Sequence, residues 1–190
     1  MLGFLLLLLS STPSLASQEG SVQVSEYHRL HDELDRLAEK RAWVGVERTW
    51  KALVDTGVEP TDEDRILAAH GALALGDLSA ARERLLVVAK RTEDRGVIET
   101  LFRIDNDYGY VTLAGAHELV QETKPFLPEA AAASERATTE VAETGQFEGY
   151  LPPGRYRFGY DVIEVVAGEV VELELAPRSR RGKRRSRRTW

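Results

Sequence analysis

Leu75-Gly76-Asp77-Leu78-Ser79-Ala80-Ala81-Arg82-Glu83-Arg84-Leu85-Leu86 reads as the turn and second helix of a helical hairpin. Gly76 ends one helix, because glycine takes the left-handed conformation at least steric cost. Asp77 opens the next, and Leu78, Ala81, Leu85 and Val88 recur at helical spacing as its buried stripe. Ala81 is small, which allows close approach of the partner helix. Before the turn, Ile66, Ala69, Ala72 and Leu73 carry the same period. Thr61 is placed to cap that first helix, with Asp64 as a short-armed capping box.

The pattern occurs twice. Moving back 35 residues sets Gly76 on Arg41, Leu78 on Trp43, Ala81 on Val46, Leu85 on Trp50 and Val88 on Leu53. Leu30, Leu34 and Leu37 mark the first helix of the earlier pair. A self-match at this period is the sign of a helical repeat array, with a plain helical bundle as the alternative. On Gly76, Leu78, Ala81 and Leu85 the second unit resembles a tetratricopeptide repeat, and the resemblance extends over residues 26–94. Arg41, Val46 and Glu93 depart from the glycine, alanine and proline usual at their places. The resemblance implies a protein-interaction role.

Taken in order, helices are expected at Glu26–Lys40 and Ala42–Thr56, then as the pair on either side of Gly76, the first capped at Thr61 and the second opened by Asp77, and at Arg95–Ile104, the last covering the open end of the array. His28 and His31 share a helix face, which would allow chelation of a metal. No third ligand follows at a family spacing, so a solvated face is the expectation. Trp43 and Trp50 also share a face and suit the core; His70 suits the core or its rim. Asp105-Asn106-Asp107-Tyr108-Gly109 is too short for a calcium loop and reads as a polar turn.

From Tyr108 the period shifts to two. Tyr110–Leu113 and His117–Thr123 are strand candidates. Pro128–Glu143 favours a helix through its alanines, Pro128 and Gly145, with a mobile insertion as the alternative. Gln146–Leu151 leads into Pro152-Pro153-Gly154, a turn sequence. Tyr156, Phe158 and Tyr160 alternate after it, then Val162–Val166 and, past Ala167-Gly168, Val171, Leu173 and Leu175. The run Gly145–Tyr156, with Val166-Ala167-Gly168-Glu169 later, resembles the signature of carboxypeptidase-regulatory and PEGA-like β-sandwich modules over residues 108–176. That resemblance implies a non-catalytic accessory or adhesion domain. The fold class expected is therefore α+β: antiparallel helical hairpins over 26–104, then a small antiparallel β-sandwich over 108–176 with an inserted helix.

The ends differ in kind. Phe4–Leu9 is an unbroken apolar run, and Ser14-Leu15-Ala16 fits a signal-peptidase site after Ala16, so 1–16 is expected to be a signal peptide and 17–25 a linker. The run is too short for a stable membrane anchor. The chain has no cysteine, which removes disulfides, thiolate metal sites and a cysteine nucleophile; together with the signal this points to a periplasmic or secreted bacterial envelope protein. At the other end Arg178, Arg180, Arg181, Lys183, Arg184, Arg185, Arg187 and Arg188 form a block without acids. Setting those eight aside from the 25 Lys and Arg leaves 17 against 31 Asp and Glu. The block, 177–190, is expected to be a disordered basic tail that contacts anionic surface polymer or lipid headgroups, not a specific nucleic acid.

No Gly-x-Ser-x-Gly, Gly-rich phosphate loop, His-Glu-x-x-His or dinucleotide fingerprint occurs. The expectation is a protein that is not an enzyme, with no catalytic residue, cofactor or metal: a protein-interaction or scaffold protein of the envelope. The alternative is a surface-polymer binder in which Tyr150, Tyr156, Phe158 or Tyr160 would stack on a glycan, although their alternation suits a buried face.

Overall fold

The structure, a computed structural model, describes residues 15–175. Most of the stretch expected to be a signal peptide, and the whole basic block expected to be a tail, lie outside the described residues. Five helices come first: α1 (Leu15–Glu39), α2 (Trp43–Asp55), α3 (Asp62–Ala74), α4 (Leu78–Ala89) and α5 (Arg95–Asp107). Then come β1 (Gly109–Ala114), β2 (Leu119–Gln121), α6 (Pro128–Thr144), β3 (Gln146–Leu151), β4 (Gly154–Phe158), β5 (Asp161–Val165) and β6 (Val170–Glu174). The class is α+β, with helical hairpins followed by small sheets and an inserted helix.

α1 starts eleven residues before the expected Glu26, so the stretch 17–25, expected to be a linker, is helical. No proline interrupts it, and its residues 22–26 are exposed. Burial begins with Tyr27, Leu30 and Leu34, which pack with Val46, Trp50 and Leu53 of α2 and Ala68 of α3. Trp50 is core, as its spacing suggested. The second hairpin buries Leu73, Leu78, Leu85 and Val88 together with Val97, Leu101 and Ile104 of α5; each large apolar side chain so buried contributes roughly 1.5–3 kcal/mol. α3 serves both clusters, which accounts for its small residues. A Cβ on Gly71 would sit 2.8 Å from Val46 Cγ1.

The 35-residue offset reappears in the backbone. At the second turn Asp77 N donates to Ala72 O (2.8 Å) and Gly76 N to Leu73 O (3.0 Å). At the first, Ala42 N donates to Leu37 O and Arg41 N to Ala38 O, both 2.9 Å. The residues at the turn are left-handed in both, Gly76 at φ 76° and Arg41 at φ 53°. Arg41 thus holds a conformation that costs a residue with a Cβ on the order of 1 kcal/mol. Arg41→Gly is expected to raise stability by about 0.5–1 kcal/mol. A chemical-denaturation midpoint at or below the parent's would show that the Arg41 side chain contributes more than the strain costs.

Thr61 and Asp64 form the expected capping box at α3. α5 runs three residues beyond its expected end, so Asp105-Asn106-Asp107 is its last turn and not an inter-domain turn. Acids there oppose the helix dipole. Arg82 offsets this, holding Asp105 through Nε at 2.6 Å and Nη2 at 3.2 Å.

The β half is two three-stranded sheets, β3-β1-β6 and β2-β4-β5, around one core of Val111, Leu113, Phe147, Leu151, Tyr156, Phe158 and Ile163. Two features correct the expected all-antiparallel sandwich. β6 runs parallel to β1, with Tyr110 opposite Val170 and Ala114 opposite Glu174. Pro152-Pro153 passes the chain from one sheet to the other instead of closing a ladder, since β3 pairs with β1 and β4 with β2 and β5. Ala167-Gly168 likewise leads across, not back along β5. The second strand is shorter than expected, Leu119–Gln121, because His117 and Glu118 form its approach.

α6 is a helix with Pro128 in its first turn and Gly145, φ 73°, at its end. It joins the halves. Ala133 lies in the core of the second hairpin, Ala137 and Val141 in that of the sheets. Arg136 reaches Asp77 at 2.9 Å, the residue that also caps α4 through Ala80 N at 3.0 Å.

Candidate functional site

A concave surface of mixed apolar and basic character lies where the helical half meets α6. Two adjoining clefts make it up. One, about 280 Å³, is walled by Leu73 and Leu78, Ile104 and Tyr108, and the segment Pro125–Leu127. The other, about 640 Å³, is walled by Arg41, Trp43, His70, Thr100 and Arg103, with Pro128 and Glu129 opposite. They share Leu73, Arg103 and Glu129, so they form one groove along α3 and α5 that ends at the first turn of α6.

Its apolar feature is Phe126, 98% exposed, beside the exposed Leu127. Prolines at 125 and 128 flank the pair and restrict the loop backbone. A large aromatic held out in water on a constrained loop is the informative kind of exposure. The sequence reading passed over these residues. The signal was there: Pro-Phe-Leu-Pro is an apolar pair that neither a strand nor a helix uses.

Its polar feature is cationic. Arg41, His70 and Arg103 are exposed, and none has an acid within ion-pair distance among the described residues. Most other arginines of the helical half are engaged. Arg84 grips Glu47 at 2.8 and 2.9 Å and donates to Ala68 O at 2.7 Å; Arg82, Arg91 and Arg95 have carboxylate partners too. Glu129 and Asp107 are the groove's acids. Burial and the Glu129 charge push the Tyr108 phenol up, and Arg103 opposes them.

The other sequence candidates fall elsewhere. Arg178, Arg180, Arg181, Lys183, Arg184, Arg185, Arg187 and Arg188 lie outside the described residues. His31 is not on a solvated face: its Nδ1 is 2.7 Å from Asp64 Oδ1. Asp64 is 0% exposed and also accepts from Tyr27 Oη at 2.5 Å, Thr61 N at 2.9 Å and Thr61 Oγ1 at 2.7 Å. The hydrogen bond that it donates to Asp64 holds the His31 imidazole above its usual range, against the effect of burial. Burial would raise the Asp64 carboxyl, but hydrogen bonds from Tyr27, His31 and Thr61 together hold it below the usual carboxylate range. The cluster is a clasp between α1 and α3. No group of three His, Asp or Glu is placed to hold a metal among the described residues.

The aromatic alternation of β4 is core. Tyr156 and Phe158 are 1% and 0% exposed, and Tyr156 Oη donates to Pro152 O at 2.9 Å. Burial pushes the Tyr156 phenol up to about 12. Neither ring can stack on a glycan. Tyr150 is half-buried, set edge-on to Tyr110 at 5.1 Å and 3.3 Å from Asp105. Of the four only Tyr160 is exposed.

No helix among the described residues is long and apolar enough to cross a membrane. No protein-family model matches the chain, and neither a curated protein nor a solved structure is similar enough to count as a match.

Proposed function

We propose that this chain is a non-catalytic protein-interaction protein of the bacterial cell envelope, exported by its N-terminal signal into the periplasm or beyond. Its tetratricopeptide-like hairpins and PEGA-like β module would form a scaffold that receives a partner segment in the groove between α3, α5 and α6. One observation carries the reading: Arg41, His70 and Arg103 line one cleft with no acid in ion-pair distance among the described residues, and Phe126 stands exposed in the cleft that adjoins it at Arg103. Unpaired guanidinium groups suit a carboxylate-bearing segment, since arginine binds carboxylates through paired hydrogen bonds. An exposed aromatic anchor supplies the apolar contact typical of binding hot spots.

The test is capture from envelope extracts under gentle crosslinking. Parent protein should retain a partner that His70→Glu/Arg103→Glu loses, with both proteins melting at the same temperature. Equal capture by parent and variant would remove the groove as the binding surface. Failure of either to retain any protein would remove the scaffold reading.

The basic block from Arg178 to Arg188 adds a second contact in this proposal, to anionic polymer or lipid headgroups. Each cation near an anionic membrane contributes about 1 kcal/mol at most, screened by salt. Deleting 177–190 should abolish salt-sensitive binding to vesicles of anionic phospholipid and leave the melting temperature unchanged. A large fall in melting temperature would instead mark the block as part of the fold.

A further inference from the structure

The two sheets leave edges on both sides of the sandwich. α6 packs beside β3 and β2 at one side. At the other, β6 is the border of its sheet. The parallel pairing with β1 uses Glu169 O, which accepts from Tyr110 N at 2.9 Å, and Leu175 N, which donates to Ala114 O at 2.8 Å. In a parallel ladder the bonded residues alternate, so Val171 and Leu173 also face β1. The N–H and C=O groups of Val170, Glu172 and Glu174 therefore point outward, and no described strand pairs with them.

Natural edges are usually blunted by shortness, charged side chains, proline, a bulge or a covering element. β6 has no proline or bulge and no described element covers its free side; the charges it does carry, Glu172 and Glu174, repel an acidic strand and admit a cationic one. Its outward side chains are exposed, with Val170 at 66%. Glu172 and Glu174 have no cationic partner among the described residues. They lie on the outer face, where Glu172 shares a cross-strand row with Thr112 and Glu148. The inward residues Val171 and Leu173 are only partly buried at the border of the core. The edge thus offers two kinds of neighbour in alternation, an acid outside and an apolar side chain inside.

We propose that the free edge of β6 is a strand-addition site for an extended partner peptide in which cationic and apolar residues alternate. Such a strand takes up the three outward backbone pairs, sets its cations beside Glu172 and Glu174, and lays its apolar side chains against Val171 and Leu173. A second copy of this chain is the poorer occupant: β6 has no cation to set beside Glu172 and Glu174 in any register, and antiparallel pairing about Glu172 sets like charges directly opposite. The chain's own basic block does not fit either: Arg178–Arg188 has no alternating apolar residues, and Pro177 precedes it. This site does not depend on the groove of the helical half.

The test uses the full chain and a synthetic nine-residue peptide alternating lysine and valine, with a peptide of the same composition in two blocks as control. The alternating peptide should slow amide hydrogen exchange at Val170, Glu172 and Glu174 by at least tenfold and bind at least tenfold more tightly than the block peptide. Glu172→Lys/Glu174→Lys should lose that binding. Glu172→Pro should lose it too, since it removes an N–H that the native ladder does not use. If Glu172→Pro fails to fold, a peptide N-methylated on its edge-facing amides takes its place and should not bind. Equal binding of both peptides would reduce the effect to general charge attraction and overturn the proposal. So would absence of protection, or protection already present without peptide and lost on dilution or on deletion of 177–190.

Discussion

Gly76→Ala is expected to cost about 2–5 kcal/mol, a substantial part of a typical domain's stability. Two penalties add. The left-handed backbone, φ 76°, costs any residue with a Cβ about 1–2 kcal/mol. The Cβ itself would stand 2.4 Å from Ala132 C and Ala133 N, backbone atoms that cannot rotate away, so α6 must shift as a unit. Overpacking of that kind adds about 1–3 kcal/mol. Gly57→Ala separates the two: Gly57 has φ 75° but nothing within 4 Å of a built Cβ, so it should lose only the first penalty. Thermal or urea unfolding of both variants reads the difference. Equal losses would mean that α6 does not rest on this turn.

Asp64→Ala should be of similar size, about 3–5 kcal/mol, because it removes the centre of a buried charged network and leaves its partners unpaired. The clasp also predicts a pH profile. The lowered Asp64 carboxyl contributes stability above the unfolded value of about 3.9, which is lost as pH falls through its folded value. The raised His31 imidazole contributes fully below its unfolded value of about 6.5, and that part is lost as pH rises through its folded value. Both contributions are present from about pH 4 to 6.5. Asp35 Oδ2, 3.9 Å from His31 Nε2, acts in the same direction. The gap in melting temperature between parent and Asp64→Asn should close as pH falls toward 3, and toward pH 9 it should narrow only by the His31 part, since Tyr27 and Thr61 still donate to the ionised carboxylate. A constant gap would show that neither group changes charge with folding.

What could be read from residues alone was local. Gly76-Asp77, the Thr61–Asp64 box and the Pro128…Gly145 frame of α6 are signals within one turn of chain, and each marked its element. The first hairpin could be read despite Arg41 because the periodic side chains around it outweighed one missing glycine. What could not be read was distant partnership. His31 shows nothing to mark it apart from His28 until α3 brings Asp64 against it, 33 positions later. Pro152-Pro153-Gly154 signals a turn but not which sheet the chain enters next. The groove depended on α6 returning to the helices, and its packing residue there, Ala133, has the least distinctive side chain available.

The parallel pairing of β1 with β6 bears on how the protein is made. A chain that emerges N-terminus first, on the far side of the membrane under the proposed export, can settle its five helices early, since their contacts are short in sequence. β1 follows directly, yet one of its two neighbours is the last described strand, with Val111 opposite Val171. Until that strand has emerged, some sixty residues later, β1 has an unpaired flank beside a half-built core. The β half is open to aggregation in that interval, when a chaperone that covers extended apolar strands would be of use to this chain.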